Sequence, residues 1–301
     1  MQSDVSVILV SYNTEALTKD CLISLYEKTQ DVNFDVWVVD NNSKDNTCEM
    51  IKKEFPQVNL IENKENKGFG AANNQALRET KSKYVFLLNT DTVLINNAIK
   101  ILYDFMESDE KIGACGGNMF NKEGKHVHAY GHFKTFKRKF INTFKLGWAF
   151  PYEHKLNTDK GENTENIQKE VDIIVGANLF MRKSVLDEVG IFDEDFFLYD
   201  EETELQFRIK QAGYKIIINP DSKIYHLEGK SSGNRAISRS YKMESEILCY
   251  IKCYGRKNLW LYKLICCLPN SLRLISNPKI IGKTFLKIIK MWCVVSLNYT
   301  P

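Results

Sequence analysis

The sequence predicts an α/β protein with a mostly parallel, twisted sheet and helices on both faces. Apolar strand-like runs alternate with segments of helical periodicity over about the first 115 residues. Polar motifs follow these runs at their carboxyl ends, where ligands of such sheets bind. Of the 301 residues, 44% are hydrophobic and 26% are charged. This apolar content suffices for one large domain with an appendage, or for two small domains.

The first part of the chain supplies the alternating elements in order. Its first apolar run has the composition of a strand covered on both faces, and the alternation predicts parallel strands joined by right-handed crossovers. The predicted strands are Val5–Val10, Phe34–Asp40, Asn59–Glu62 and Tyr84–Leu88, and the predicted helices are Leu17–Lys28, Thr47–Phe55 and Ala71–Thr80.

The alternating pattern changes beyond the fourth strand. Residues 118–170 are polar, basic and aromatic, which predicts an irregular loop region. Order then returns with a strand-like stretch, an acidic helix and two short strands. These elements are Val171–Arg182, Glu201–Gln211, Lys215–Ile218 and Lys223–His226.

The net charge of +3 conceals an asymmetry. No acidic residue follows Glu246, so the last 55 residues carry +9 and residues 1–246 carry −6. The negative first part argues against nucleic-acid binding. In Pro278–Leu297, apolar residues and lysines fall on different helical faces, which predicts a basic amphipathic helix lying on an anionic membrane. The alternative is a helix that packs back on the protein or forms a homodimer.

Targeting signals and cysteines bear on the compartment. The N-terminus has neither a basic region nor a cleavage site, and no apolar run approaches the ~20 residues of a membrane span. We therefore predict a cytoplasmic protein without a transmembrane helix, held peripherally on the inner face of the plasma membrane by its tail. The eight cysteines include no Cys-x-x-Cys pair and are interpreted as buried thiols in a reducing compartment.

Two aspartates follow predicted strands and are candidate ligand-binding groups. Asp91, in Asn89-Thr90-Asp91, can bind Mg²⁺ or Mn²⁺ and so neutralise a diphosphate. Asp40 can accept a hydrogen bond from a nucleobase N–H or a ribose hydroxyl. Both have a structural alternative, since Asn and Asp also stabilise turns.

An acidic cluster and a histidine complete the candidates. Asp200–Glu204 holds four acids in five residues. Crowded carboxylates raise one another's pKa and so provide a general base, although acids also stabilise a helix N-terminus through its dipole. His226 follows a strand and either completes a metal site or has a structural role.

Six ordered segments resemble the family 2 inverting glycosyltransferases of the GT-A fold. They run from about Val5 to Ser232: VSVILVSYN, VWVVDNNSKDNT, NKGFGAANNQALRET, YVFLLNTDT, GANLFMRKSVLDEVGIFDEDFFLYDEETELQFRIKQAGY and YHLEGKSS. The segments LLNTDT and FDEDFFLYDEETELQFR are most similar to a rhamnosyltransferase-like branch. The resemblance implies a catalytic domain over 1–235 and a basic helical extension over 236–301. Within the domain it implies a Rossmann-like nucleotide-sugar-binding half (1–117), a variable acceptor loop region (118–170) and an acceptor half (171–235).

The resemblance also implies roles for individual residues. The nucleotide-sugar-binding residues would be Ser11, Tyr12, Asn13, Asp40, Asn42, Asn66, Lys67, Gly68, Asn89 and Asp91. Gly176, Ala177 and Asn178 would bind the acceptor. Apart from the resemblance, Trp148 of the loop region is a candidate aromatic surface for a sugar ring. Asp91 and His226 would hold Mg²⁺ or Mn²⁺. Glu202 would be the catalytic base, with Glu201 as the alternative.

The implied reaction moves a sugar from dTDP-rhamnose or a UDP-hexose to a hydroxyl of a glycan or lipid-linked oligosaccharide, in cell-surface polysaccharide synthesis. The sequence departs from the family pattern at two positions. Asn89 replaces the first acid of the Asp-x-Asp motif, which predicts weaker metal dependence. Glu202 is one methylene longer than the family's aspartate.

Other function classes fit less well. A dinucleotide-binding dehydrogenase needs a G-x-G-x-x-G motif after the first strand, and Gly68-Phe69-Gly70 is followed by Asn73 at the third glycine position. A sugar-nucleotide pyrophosphorylase needs a glycine-rich, basic first loop, and the first loop of this sequence, Ser11-Tyr12-Asn13-Thr14, is neither. A non-catalytic sugar-binding module of the same fold stays open and predicts donor binding without turnover. The histidines of the loop region predict a mobile acceptor loop, or alternatively a zinc site; they are His126, His128, His132 and His154.

Overall fold

A computed structural model describes residues 3–227 and 235–266, which belong to two compact units. Unit 1 comprises the described residues of 1–131 and 160–233, and unit 2 comprises those of 132–159 and 234–301. None of the helices in the described part of the chain has the length and apolar character needed to cross a membrane.

Unit 1 contains all the strands of the described chain. They are β1 (Val5–Ser11), β2 (Phe34–Asp40), β3 (Asn59–Glu62), β4 (Tyr84–Leu88), β5 (Thr92–Leu94), β6 (Ile112–Phe120), β7 (Tyr130–Gly131), β8 (Lys169–Glu170), β9 (Ile173–Ile174), β10 (Asn178–Arg182) and β11 (Lys215–His226). Its helices are α1 (Glu15–Lys28), α2 (Thr47–Glu54), α3 (Phe69–Glu79), α4 (Ala98–Ser108), α7 (Lys183–Val189) and α8 (Glu201–Gln211).

One large sheet organises unit 1. Among the described residues it has nine strands in the order β3-β2-β1-β4-β10-β6-β11-β5, with β8 paired to β11. The β1–β2, β1–β4, β2–β3 and β6–β11 pairs are parallel. Strand β10 runs antiparallel to both of its neighbours, and β5 runs antiparallel to β11. The predicted mostly parallel α/β sheet is therefore confirmed.

The central strands are buried because their side chains are apolar on both faces. Val7, Ile8 and Leu9 of β1 are fully buried, as expected for a strand inside a covered parallel sheet. Phe86 of β4 lies opposite Phe180 of β10, and their ring centroids are 5.7 Å apart. These contacts make the middle of the sheet a rigid support for the loops at its edge.

The structure refines several predicted boundaries. The strands predicted at Lys215–Ile218 and Lys223–His226 form one strand, β11, whose register against β6 shifts between Asn219 and Lys223. Pro220 falls at this shift, where a residue without an N–H is tolerated. The stretch predicted as one strand at Val171–Arg182 contains β9 and β10 with a turn between them.

Unit 2 is helical. Within the described residues it contains α5 (Phe136–Thr143), a 3₁₀ helix (Leu146–Trp148), α6 (Pro151–Thr158), α9 (Arg235–Tyr254) and helical residues 259–266. Tyr250 and Tyr262 stack with centroids 3.8 Å apart, and Phe136 packs on the same cluster. The basic helix predicted at Pro278–Leu297 lies outside the described residues.

Candidate active site

The carboxyl ends of β1 and β2 lie side by side and carry two linked loops. Ser11 is in register with Asp40. Asn13 donates its backbone N–H to Ser43 Oγ (2.8 Å) and accepts from the Lys44 N–H through Oδ1 (2.6 Å). Asn13 and Asn42 have φ values of 55° and 68°, a left-handed conformation that asparagine adopts more readily than most residues. The two asparagines therefore shape this edge of the sheet.

The buried side chains at this edge divide into supporting and ligand-facing groups. Ser11 is fully buried, and its hydroxyl contacts Thr14 Oγ1 at 2.9 Å, so its side chain supports the loop. Asp40 is 2% exposed and accepts from the Ser43 N–H through Oδ2. Its buried Oδ1 has no N–H or O–H donor among the described residues. The Cys48 thiol interacts with Asp40 but is only a weak donor. Because a buried acceptor without a strong donor costs about 1–3 kcal/mol, Oδ1 is suited to accept from a ligand. Tyr12, which follows Ser11 in the sequence, is half exposed.

A second loop, immediately before α3, contacts the segment that leads into the acidic helix α8. Gly68 donates its N–H to Asn66 Oδ1 (2.9 Å), and its carbonyl accepts from Asn41 Nδ2 (3.0 Å). The next N–H, of Phe69, donates to the carbonyl of Phe197 at 3.0 Å. A Cβ on Gly68 would lie 2.2 Å from that same oxygen. Only glycine fits this crossing, while neighbouring Lys67 is exposed.

Helix α3 holds the segment that leads into α8. The Asn74 amide donates to the Phe192 carbonyl (2.9 Å) and accepts from the Phe192 N–H (3.1 Å). Arg78 bonds Glu194 at 2.6 Å. Sequence reasoning missed Asn74 and Asn41; an asparagine within an apolar helical face is the signal that identifies the first.

The acidic helix begins on a strained backbone. Tyr199 and Asp200 have φ values of 74° and 64°, and consecutive left-handed residues other than glycine concentrate at functional sites. On the following turn, Gln206 accepts from the Ile174 N–H (2.7 Å) and donates to the Ile174 carbonyl (2.8 Å). The start of α8 is therefore fixed to β9.

The two candidate bases have different surroundings. Glu201 is 3% exposed, and burial, followed by the charge of Glu202, raises its pKa well above the usual value. Glu202 is partly exposed and lies against Gly176, where an added Cβ would be 3.8 Å from the Glu202 Cβ. A third acid, Glu204, forms two hydrogen bonds of 2.8 Å with Arg208 and has a structural role.

Asp91 and His226 are brought together by the pairing of β5 with β11. His226 is in register with Thr92, and the Leu227 N–H donates to the Asp91 carbonyl at 2.9 Å. His226 Nε2 lies 3.4 Å from Asp91 Oδ1, and the side chains are 12% and 2% exposed. An adjacent imidazole and carboxylate fit a Mg²⁺ or Mn²⁺ ion whose other positions would be filled by diphosphate and water. The described residues contain no cluster of three or more such metal-ligating side chains.

The remaining predicted residues take varied positions. Asn89 donates its N–H to the Ala177 carbonyl (3.3 Å), so these two backbones meet beside Asp91. The Asn178 amide is buried and donates to the Gly117 carbonyl (3.1 Å), which directs it into the sheet. Trp148 lies in unit 2 and is 84% exposed.

Comparisons with known proteins agree on one family. The family model described as "Glycosyl transferase family 2" matches residues 6–190. The chain is 24% identical over 238 residues to the N-acetylglucosaminyl-diphospho-decaprenol L-rhamnosyltransferase of Mycobacterium tuberculosis, covering 75% of this chain and 77% of the relative. It is 23% identical over 235 residues to the poly-beta-1,6-N-acetyl-D-glucosamine synthase of Staphylococcus aureus, with 76% and 51% covered.

Solved structures show the fold. The structure of GalNAc-T7 with UDP, GalNAc and Mn²⁺ gives a TM-score of 0.58 at 16% identity, over 83% of this chain and 48% of that one. The mannosyltransferase PcManGT of Pyrobaculum calidifontis, with GDP-Man and Mn²⁺, gives 0.56 at 17% identity, over 98% and 86%. The GT-A fold predicted from the sequence is confirmed. The chain spans about half the length of the synthase and of the GalNAc-T7 chain.

Proposed function

The chain belongs to glycosyltransferase family 2 and is a glycosyltransferase, and on that premise we propose that it transfers a sugar from a nucleoside diphosphate to an acceptor hydroxyl with inversion. The observation that most supports this proposal is the backbone contact between Gly68-Phe69 and Phe197. It joins the loop expected to close over the donor to the segment that carries Glu201 and Glu202. In the proposed mechanism, this contact would hold the donor-binding loop and the base on one connected framework.

In this mechanism Asp40 Oδ1 accepts from the nucleobase or ribose, and Tyr12, Asn13 and Asn42 form the adjacent edge. Glu202 takes the proton from the acceptor hydroxyl. The hydroxyl oxygen then attacks the anomeric carbon as the bond to the diphosphate oxygen breaks, and the nucleoside diphosphate leaves. A single displacement inverts the configuration. Orientation of the reactants and preorganised charge supply most of the acceleration.

Glu201 and Glu202 are adjacent acids, of which Glu201 is the more buried. Burial and the charge of Glu202 raise the pKa of Glu201 well above its usual value, so Glu201 keeps its proton to a higher pH than an exposed glutamate does. Asp91 and His226 would hold Mg²⁺ or Mn²⁺, and Gly176, Ala177 and Asn178 would flank the acceptor. When bound, such a cation supplies positive charge that neutralises the diphosphate leaving group.

The substrate class is proposed from the relatives. One acts on a diphospho-decaprenol substrate as an L-rhamnosyltransferase and another makes a polysaccharide, so we favour dTDP-rhamnose or a UDP-hexose as donor. The acceptor is then a glycan or lipid-linked oligosaccharide in cell-surface polysaccharide synthesis, at the cytoplasmic face of the membrane. The lysines of Pro278–Leu297 would add peripheral contact with anionic lipid, the alternative for that segment being packing on the protein or a homodimer contact.

A thermal-shift panel of nucleotide sugars with Mn²⁺ or Mg²⁺ tests the donor. The cognate donor at about 100 times its Kd should stabilise the folded protein by about 2.7 kcal/mol. A transfer assay with that donor, read by NMR of the new anomeric centre, tests the chemistry. Binding without turnover would identify a sugar-binding module instead, and a product with retained configuration would contradict the displacement mechanism.

A further inference from the structure

Unit 2 exposes a group of large aromatic side chains that are close together in the chain. They come from α5, the 3₁₀ helix and the beginning of α6, and we call them the aromatic face: Phe140, Phe144, Trp148, Phe150 and Tyr152, which are 37%, 46%, 84%, 41% and 71% exposed. The rings of Phe140 and Phe144 are 4.7 Å apart. Exposed aromatic groups concentrated in one short stretch of chain are a candidate interaction surface.

None of the five rings belongs to a hydrophobic cluster among the described residues of unit 2, although the Lys137 ammonium lies over the Phe150 ring, 5.7 Å from its centroid. On α5, Phe136 packs on the Tyr250–Tyr262 cluster and Lys139 pairs with Glu246 at 2.5 Å. Ile141 is 2% exposed. Phe140 and Phe144 project from the helix at positions four residues apart, one turn above the other. Phe140 also stacks against Phe136, with ring centroids 6.3 Å apart, so a row of rings runs along one side of α5 from the packed Phe136 to the exposed Phe144.

The surroundings of the aromatic face are basic. Residues 132–159 contain six Lys and Arg but two acidic residues. Both acids are engaged, since Glu153 bonds Lys137 and Arg138, and Asp159 bonds His132. Lys145 and Lys155 are exposed and form no ion pair with any described residue. The face thus combines exposed rings with two lysines that form no ion pair with the part of the chain that the structure describes.

We propose that the aromatic face docks on the interface of an anionic lipid bilayer. The rings would enter the boundary between headgroups and acyl chains, where Trp and Tyr are favoured, and Lys145 and Lys155 would meet lipid phosphates. A neutral glycan gains nothing from the two lysines, and a symmetric contact with a second copy would bring like charges together. The inference rests on the proposed function only in its purpose, which is access to a lipid-linked acceptor.

The full chain should bind vesicles of phosphatidylglycerol and phosphatidylethanolamine far better than vesicles of phosphatidylcholine. Changing Phe144→Ser together with Tyr152→Ser should lower the bound fraction at limiting lipid at least ~10-fold, since interfacial binding scales with buried apolar area. The matched control is Ile23→Ser with Ile167→Ser, which removes two exposed apolar side chains of unit 1 and should bind like the wild type. Unfolding temperatures of both variants should stay within a few degrees of the wild type, about the effect of exposed substitutions.

Two further measurements locate the contact. Brominated lipid should quench Trp148, seen as the difference between the wild type and Trp148→Phe. Replacing Lys145 and Lys155 by Gln should weaken binding most at low salt. The proposal is overturned if the Phe144/Tyr152 variant binds vesicles as the wild type does. It is also overturned if the wild type does not bind vesicles but forms a dimer that this variant loses. A third contrary result is loss of vesicle binding solely when the lysines of Pro278–Leu297 are changed to Gln. Transfer to a water-soluble acceptor should be unchanged in the Phe144/Tyr152 variant, so a failure of catalysis is separable from a failure of docking.

Discussion

Glu201 and Glu202 are adjacent in sequence, yet the start of α8 gives them different environments. The helix turns Glu201 into the protein, where burial raises its pKa, and leaves Glu202 partly exposed beside Gly176. A general base must reach the acceptor. Because Glu202 is the more accessible of the two, our proposal assigns the base to Glu202 and keeps Glu201 as the alternative.

Changing Glu202→Gln should lower transfer at least ~100-fold while donor binding and the fold stay nearly intact, because the amide cannot accept the proton. Changing Glu201→Gln is the matched variant and should keep most of the activity. Steady-state transfer rates and donor thermal shifts of the two proteins provide the measurement. The reverse ranking would assign the base to Glu201, and full activity in both would reject this mechanism.

Asp91 and His226 form the candidate metal-binding pair. Changing Asp91→Ala should abolish the donor thermal shift that depends on Mn²⁺, since it removes the one carboxylate of the pair. His226→Ala should weaken the same shift by a smaller amount. Isothermal titration with donor in the presence and absence of Mn²⁺ measures both effects. Full transfer activity of the wild type in excess EDTA would argue against a metal role for both residues.

Helix α3 and the segment before α8 are far apart in the chain but are connected by hydrogen bonds. Asn74 fixes the segment at Phe192, and the Gly68-Phe69 backbone fixes the segment at Phe197. These two contacts connect α3 and the loop before it to the segment that carries Glu202. A change in either contact should therefore alter the position of Glu202, the proposed base.

Changing Gly68→Ala should destabilise the protein by a few kcal/mol and reduce transfer, because its Cβ would collide with the Phe197 carbonyl. Gly124→Ala is the control. Gly124 also has positive φ, at 74°, but an added Cβ meets no heavy atom within 4 Å. The control should show the backbone strain of about 1 kcal/mol alone. Urea unfolding and transfer rates compare them, and equal losses in both variants would refute the clash.

At the scale of the whole molecule, the carboxyl groups of the buried Glu201 and the partly buried Glu246 should give opposite dependences of stability on pH. Burial would raise the pKa of Glu246, but the positive charges of Lys139 and Lys134 outweigh burial and lower it. Its stabilisation is therefore present above the unfolded pKa, near 4.5, and is lost as the pH falls through the lower folded value. The raised pKa of Glu201 has the opposite effect. Its contribution to stability is greatest below pH 4.5 and is lost as the pH rises through the pKa of Glu201 in the folded state.

Denaturant unfolding across pH measures the two contributions. Glu246→Gln should flatten the acid side of the stability profile, and Glu201→Gln should flatten its fall towards neutral pH and make the protein more stable there. A Glu201→Gln protein that is less stable than the wild type at neutral pH would contradict the raised pKa. A Glu246→Gln protein that loses stability at acid pH as the wild type does would contradict the lowered pKa of Glu246.

The sequence by itself determined the α/β class, the order of the first four strands and the family, because these depend on local apolar periodicity and on motifs that are contiguous in the chain. The tertiary structure decided that β10 is antiparallel, that β11 sets His226 beside Asp91, and that Asn74 and Asn41 link distant loops. It also grouped residues 132–159 with those from 234 onward, whereas the predicted domain boundaries at 118, 170 and 235 stay predictions. Such pairings join residues far apart in sequence, and the free energy that selects them comes from contacts that no local pattern encodes.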